Sequence, residues 1–252
     1  MKRSVLSVAL LGTMALACAS TAAGAAEHHA SWSYSGHTGP EHWGDLAPDF
    51  AVCKNGKSQS PFDIQGAKPE QLAPIDFRYQ RGTAKIVNNG HSIEVRPATG
   101  NSAAMPAGDY QLVQFHFHAP SEYTIDGKQY PLAAHLVHRN EKGQLAVVGV
   151  LFEIGAANKA LAPVFSSLPK HKAAPATLRG KLDVAGLLPT ERSYYSFAGS
   201  LTTPPCSEGV QWYVLKQPVT VSHAQLEAFR KLYPMNARPI QPAHGREVAV
   251  SQ

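Results

Sequence analysis

The sequence predicts a single mainly β domain: a mostly antiparallel sheet with short peripheral helices. Three observations carry this reading. Strand-like runs dominate from residue 84 onward, helical patterns are confined to two short segments, and there is no strand–helix–strand rhythm, phosphate-type glycine loop or internal repeat. The composition agrees. Twenty glycines and nineteen prolines are scattered through 252 residues, more than a helix bundle tolerates. Hydrophobic residues at 44% and charged residues at 16% exclude a disordered or coiled-coil chain. The net charge of +5 is not gathered into basic runs, so nothing marks a nucleic-acid partner.

The elements follow in chain order. Lys2 and Arg3 precede an apolar run from Val5 to Ala17 and a small-residue stretch, the layout of a secretory signal. Ala23, Gly24 and Ala25 fit cleavage after Ala25, so residues 1–25 are expected to be removed and 26–252 to form the mature domain, periplasmic or secreted. A rival site before Cys18 would attach a lipid. No other stretch approaches the length of a membrane span. Residues 27–82 are polar, broken by Gly and Pro, yet rich in large rings, which predicts an ordered wrap of short strands and 3₁₀ turns. Strands are expected at 84–88, 91–96, 109–118, 132–139, 145–153, 193–198 and 209–215, with a tight turn at Asn89-Gly90. Helices are expected at 158–166, opened by Asn158, and at 222–232, opened by Ser222. Once the leader is gone, Cys53 and Cys206 remain. In an oxidising compartment they read as a disulfide or, alternatively, as two separately buried thiols.

Twelve histidines need an explanation. In the run 112–118, Leu-Val-Gln-Phe-His-Phe-His, a period of two puts Gln114, His116 and His118 on one face and Val113, Phe115 and Phe117 on the other. On the next strand His135 and Val137 share one face, with Ala134, Leu136 and His138 opposite. If the two strands lie antiparallel, His135 converges on His116 and His118, and three imidazoles plus an open position make the tetrahedral site of catalytic zinc. Alternating histidines on a wet sheet face give the same spacing. His138 is the control, because parity places it off the ligand face.

Six motifs then occur in order across some 200 residues: Gly39-Pro40-Glu41-His42-Trp43, Gln59-Ser60-Pro61, Asn89-Gly90-His91, Gln114 to Glu122, Ala134 to His138, and Ser200 to Pro205. In these the chain resembles the alpha-class carbonic anhydrases, of the secreted bacterial type, from Trp32 to about Gln241. The resemblance implies a central, mostly antiparallel, twisted sheet of roughly ten strands, and one Zn(2+) per chain held by His116, His118 and His135. It implies a lyase activity, the reversible hydration of carbon dioxide to bicarbonate and a proton by zinc-bound hydroxide. A Cys53–Cys206 disulfide also fits secreted relatives.

By the same resemblance, Thr202 donates to Glu122 and so offers only acceptor capacity toward the nucleophile. Val137, Val147, Leu201, Thr203 and Trp212 match the substrate pocket, of which Val137 alone has support from strand parity. His91 matches the proton shuttle, and Tyr34 and Asn89 match the polar groups that order water on the way. Gln114 is placed to orient His116, and the backbone at Asn236 to orient His118. The partners implied are the small-molecule substrate and buffer. Exposed sheet edges could pair two chains into a homodimer, but the sequence locates no interface.

The sequence departs from the family pattern at Ala133, where most relatives carry a Glu that hydrogen-bonds the third ligand, and at Glu94, where a neutral amide is common. Rival readings are a non-catalytic carbonic-anhydrase-related binding protein, a periplasmic zinc-binding protein using His28 and His29, and an esterase-like metallohydrolase. No Gly-x-Ser-x-Gly elbow supports a serine nucleophile.

Overall fold

The computed structural model describes residues 30–252. The expected signal segment, the lipid site at Cys18, and His28 and His29 lie outside the described residues. Among the described residues no helix is long and apolar enough to cross a membrane.

The backbone of the fold is a path of ten strands within a thirteen-stranded sheet. In chain order these are β1 (Lys68–Glu70), β2 (Ala84–Asn88), β3 (Ile93–Pro97), β4 (Gly108–His118), β5 (Leu132–Arg139), β6 (Leu145–Ile154), β7 (Ala176–Thr177), β8 (Tyr194–Ser200), β9 (Glu208–Leu215) and β10 (Ala249–Ser251). In space the order is β7-β2-β3-β4-β5-β6-β9-β8-β10-β1. Most neighbours are antiparallel, as expected; β6 with β9 and β10 with β1 are parallel.

The sheet separates two cores. Phe115, Phe117, Ala134, Leu136, Ala146, Val148, Val150 and Phe152 point to one face and join a large apolar cluster. Each fully buried Phe there contributes about 1.5–3 kcal/mol relative to exposure. Ala133, Val147, Leu151, Trp212 and Val214 point to the other face, with Val137 packed beside them. Strand parity fails at one place on the strands that carry the histidines. The β4–β5 register slips between Val137 and His138, so Val137 faces Gln114 while His138 faces Leu112. The residue skipped is Val113, expected on the core face; it is only partly buried and lines a surface hollow with Gln111 and Arg139. Leu112 takes the core place instead. This is how a β-bulge redirects a side chain.

Two other expectations need adjustment. The strand expected from 91 begins at Ile93, because Asn89 Oδ1 accepts from the backbone N–H groups of His91 and Ser92 (2.9 and 2.8 Å) and holds a compact turn. Gly90 has φ +93° there, a conformation that favours glycine. The helix expected over 158–166 contracts to Ala162–Phe165, preceded by a turn in which Asn158 Oδ1 accepts from Leu161 N–H (3.1 Å). The second helix, His223–Arg230, carries a capping box between Ser222 and Gln225. The N-terminal wrap contains the short turns and strands its rings suggested: 3₁₀ turns at Gly36–Thr38 and Pro48–Phe50 and one-turn helices at Trp43–Leu46 and Val52–Asn55. Trp43 is its buried hub, donating to Ser33 O and Thr38 O. Cys53 and Cys206 form a disulfide across 153 residues, a loop whose closure is worth about 5 kcal/mol on chain-entropy grounds.

Candidate metal centre

His116 and His118 lie at alternate positions of β4, and His135 stands directly opposite His116 on β5. One transverse row of the sheet reads Glu94, His116, His135 and Gly149, and the next reads Gln114, Val137, Val147 and Trp212. The three histidines therefore share a face by register alone. One ring nitrogen from each lies within 4.8 Å of the other two.

The outer nitrogens decide which inner ones are free. His116 Nδ1 is hydrogen-bonded to Gln114 Oε1 at 2.9 Å, and His118 Nδ1 to Asn236 O at 2.7 Å. Both rings thus turn Nε2 inward. His135 presents Nδ1 inward, 3.7 Å from Glu122 Oε2. Burial lowers the pKa of His135 and brings His116 down to about 3, with like-charged histidine neighbours adding to it, so these rings are held neutral. Buried His118 Nε2 and Glu122 Oε2 have no hydrogen-bond partner, although they lie 3.5 Å apart. Three converging imidazole nitrogens, with His118 Nε2 and the neighbouring Glu122 Oε2 left unpartnered and no thiolate among them, suit a zinc ion with one open position.

His138 is elsewhere. It is buried on the opposite face, with Nδ1 against Leu136 O (2.8 Å) and Nε2 against Tyr79 Oη (2.7 Å). Both nitrogens are satisfied, which marks a core histidine.

Glu122 is fully buried beneath the histidines, and burial raises its pKa. His118, the Arg238 backbone N–H, Thr202 and the Arg238 charge pull the other way. Its Oε1 accepts from Arg238 N–H at 2.8 Å. Thr202 is buried, and its hydroxyl favours the carboxylate form of Glu122, although Oε2 has no partner at normal hydrogen-bond geometry. Arg238 itself is a feature the sequence did not reveal. Its guanidinium donates to Gln59 Oε1, Ser60 O and Cys53 O (2.7–2.8 Å), joining the disulfide region to the floor of the site.

A cavity of about 150 Å³ opens above His116 and His118, lined by Trp32, Tyr34, Asn89, His91, Glu94 and Thr203 among others. His91 lies half-buried in its wall with Trp32 stacked on it (centroids 3.6 Å apart, planes 8° apart). Burial lowers the pKa of His91, and the charge of Lys172 lowers it further. Asn89 spends its carbonyl oxygen on the turn, which leaves its amide group for the cavity. Glu94 is tied to Arg96 by a 2.5 Å ion pair. Val137, Val147, Leu201 and Trp212 belong to the apolar cluster beside the histidines, and the Trp212 ring meets His135 edge-on at 4.8 Å.

Asn236 does more than its backbone position suggested. Its side-chain oxygen accepts from Ala119 N–H (2.8 Å), and its amide donates to His91 O (3.1 Å) and Phe117 O (2.9 Å). Ala133 is buried opposite His118 and offers His135 no acceptor. Among the described residues, no side chain takes the role for His135 that Gln114 takes for His116.

Comparison with known proteins agrees with this geometry. The model of the eukaryotic-type carbonic anhydrase family matches residues 38–252. The chain is 46% identical over 237 residues to a carbonic anhydrase of Pectobacterium atrosepticum, covering 94% of this chain and 96% of that one. It is 42% identical over 241 residues to a carbonic anhydrase of Neisseria gonorrhoeae, covering 95% of each. Among solved structures, the alpha-carbonic anhydrase of Thermovibrio ammonificans, in complex with the inhibitor sulfanilamide, superposes with a TM-score of 0.85 at 45% identity, covering 89% of this chain and all of that one.

Proposed function

The chain belongs to the alpha-class, eukaryotic-type carbonic anhydrases, enzymes of zinc-dependent carbon dioxide hydration, and on that premise we propose how its own groups divide the work. The observation that carries the proposal is the convergence of three histidine ring nitrogens over a buried Glu122. His116, His118 and His135 hold one zinc ion, and Gln114 and the Asn236 carbonyl fix the first two rings. Bound there, zinc supplies a Lewis acid that lowers the pKa of water to about 7, an effect for which carbonic anhydrase is the standard case.

The protein groups do the rest. Arg238 N–H fixes Glu122, and Glu122 accepts the one hydrogen bond that the Thr202 hydroxyl can donate. Thr202 then has only lone pairs to offer the reacting oxygen and orients it by accepting. Val137, Val147, Leu201 and Trp212 keep one side dry, which suits a small apolar substrate. Thr203 lines the cavity above His116 and His118. On the other side His91 accepts the proton released in each turnover and passes it to buffer, with Tyr34 and Asn89 ordering the intervening water. The mature enzyme is a secreted or periplasmic bacterial type starting at Ala26, a reading supported by the leader layout and the disulfide. Its intact mass after export checks this, and a lipid on Cys18 would replace it.

The deciding experiment measures zinc per chain and carbon dioxide hydration before and after chelation. One zinc per chain, activity lost on its removal and regained on its return are expected. Activity that survives complete removal, or tight zinc binding that survives His135→Ala, would overturn the assignment.

A further inference from the structure

His91 has an unusual neighbour. The Lys172 side chain runs across the turn that carries it: a β-carbon placed on Gly90 would lie 3.3 Å from Lys172 Cδ and 3.8 Å from its Nζ. The segment bearing Lys172 is tied down on both sides. Asn88 Nδ2 donates to Pro169 O at 3.0 Å, and Ala176 and Thr177 pair with Ile86 and Lys85 of β2, the strand that leads into the turn. The exposed arc between them contains Lys170, His171 and Lys172. From Ile154 to Leu182 the chain has no acidic residue but carries Lys159, Lys170, Lys172, Arg179 and Lys181. Lys172 makes no ion pair among the described residues, and the nearest cavity carboxylate, Glu94, is already engaged by Arg96. A cation with no ion-pair partner among the described residues therefore stands at the point where a shuttle histidine must meet its proton acceptor.

We propose that Lys172, with Lys170 and His171 beside it, is a docking site for oxyanion buffers, so that hydrogen phosphate and similar anions are the preferred acceptors of the His91 proton. This rests on the shuttle reading of His91. The step balances: protonated His91 gives its ring proton to hydrogen phosphate, which leaves as dihydrogen phosphate, and His91 returns neutral. The lysine acts twice, raising the local concentration of the acceptor and disfavouring the charged imidazole it relieves.

The test compares zinc-loaded wild type, Lys172→Glu, Lys172→Arg and His91→Ala in two buffers of similar pKa, inorganic phosphate and a neutral imidazole base. In Lys172→Glu the phosphate concentration giving half-maximal turnover should rise about three- to fivefold at low salt, as expected for reversing one screened charge against a dianion. The value for imidazole and kcat/KM for carbon dioxide should not change, Lys172→Arg should behave as wild type, and the difference should shrink in high salt. Phosphate should also shift the His91 ring resonances of wild type at lower concentrations than those of Lys172→Glu. Equal losses in both buffers would make Lys172 a support for the turn, and no change in phosphate would remove the docking site; either overturns the proposal. His91→Ala separates the two layers. If it shows no buffer-dependent loss, the shuttle reading and the docking site fall together, whereas a loss there with an unchanged Lys172→Glu sinks the docking site alone.

Discussion

The two flanks of the histidine cluster are built by different means. On one side Val137, Val147 and Trp212 form a single register row across β5, β6 and β9, three strands deep inside the sheet. On the other side Tyr34, Asn89, His91 and Ser92 come from the N-terminal wrap and the turn before β3, held by side chain–backbone bonds and ring stacking. Interior strands have partners on both edges, so the row they make is stiff and water has no group to bind there. A turn leaves polar groups unspent at its surface. On the proposed roles, dryness would come from sheet position and proton traffic from turn chemistry, with the histidines at the seam.

Filling the stiff side should cost most. Val137→Tyr should cut kcat/KM for carbon dioxide by about 10²-fold or more, since small misplacements of a reactant carry costs of that order. Zinc content should stay at one per chain. An unchanged kcat/KM would show that substrate does not wait against that row. A change on the turn side should register differently. His91→Ala should lower kcat by roughly 10- to 100-fold in weak buffer, toward the low end of acid–base contributions, leave carbon dioxide–bicarbonate exchange intact, and be partly rescued by small imidazoles. Its lowered pKa also sets a sign: His91 stays neutral, able to take a proton, to lower pH than an exposed histidine would. Equal slowing in every buffer would make His91 structural.

The smallest effect tests the seam itself. Ala133→Glu should slow zinc loss to a chelator by about tenfold by giving the His135 ring an acceptor. It should also lower the Tm of the metal-free protein, because the new carboxylate enters an apolar cluster opposite Leu151. Unchanged zinc loss in a folded variant would mean that another group already serves His135.

The contrast also explains what the sequence made legible. Alternation on β4 and β5 placed His116, His118 and His135 together and His138 apart, because a paired strand has a fixed period. That logic broke at the bulge, where Val113 left the core face. The helix expected over 158–166 is shorter, since nothing local signals that residues 158–161 close as a turn. The Arg238 contacts with Glu122, Gln59 and Cys53 span 116 to 185 residues, and the Lys172–Gly90 approach also joins distant segments. Such pairings depend on the order in which strands assemble, which no local pattern encodes. The family resemblance points to the Asn236 carbonyl, but no motif points to the bonds of its side chain to Ala119, His91 and Phe117.

Asn236 has a consequence for biosynthesis. A nascent chain that has emerged as far as Thr202 already contains every metal ligand and Glu122, but neither the carbonyl that fixes His118 nor the amide that fixes Glu122. Until the last part of the chain docks across β4, His118 and Glu122 lack the groups that orient them, and a metal that meets the histidines should be held weakly. Capture in the final geometry thus waits on docking of the C-terminal segment, and a chain cut short after Thr202 should carry the full ligand set yet keep no durable ion.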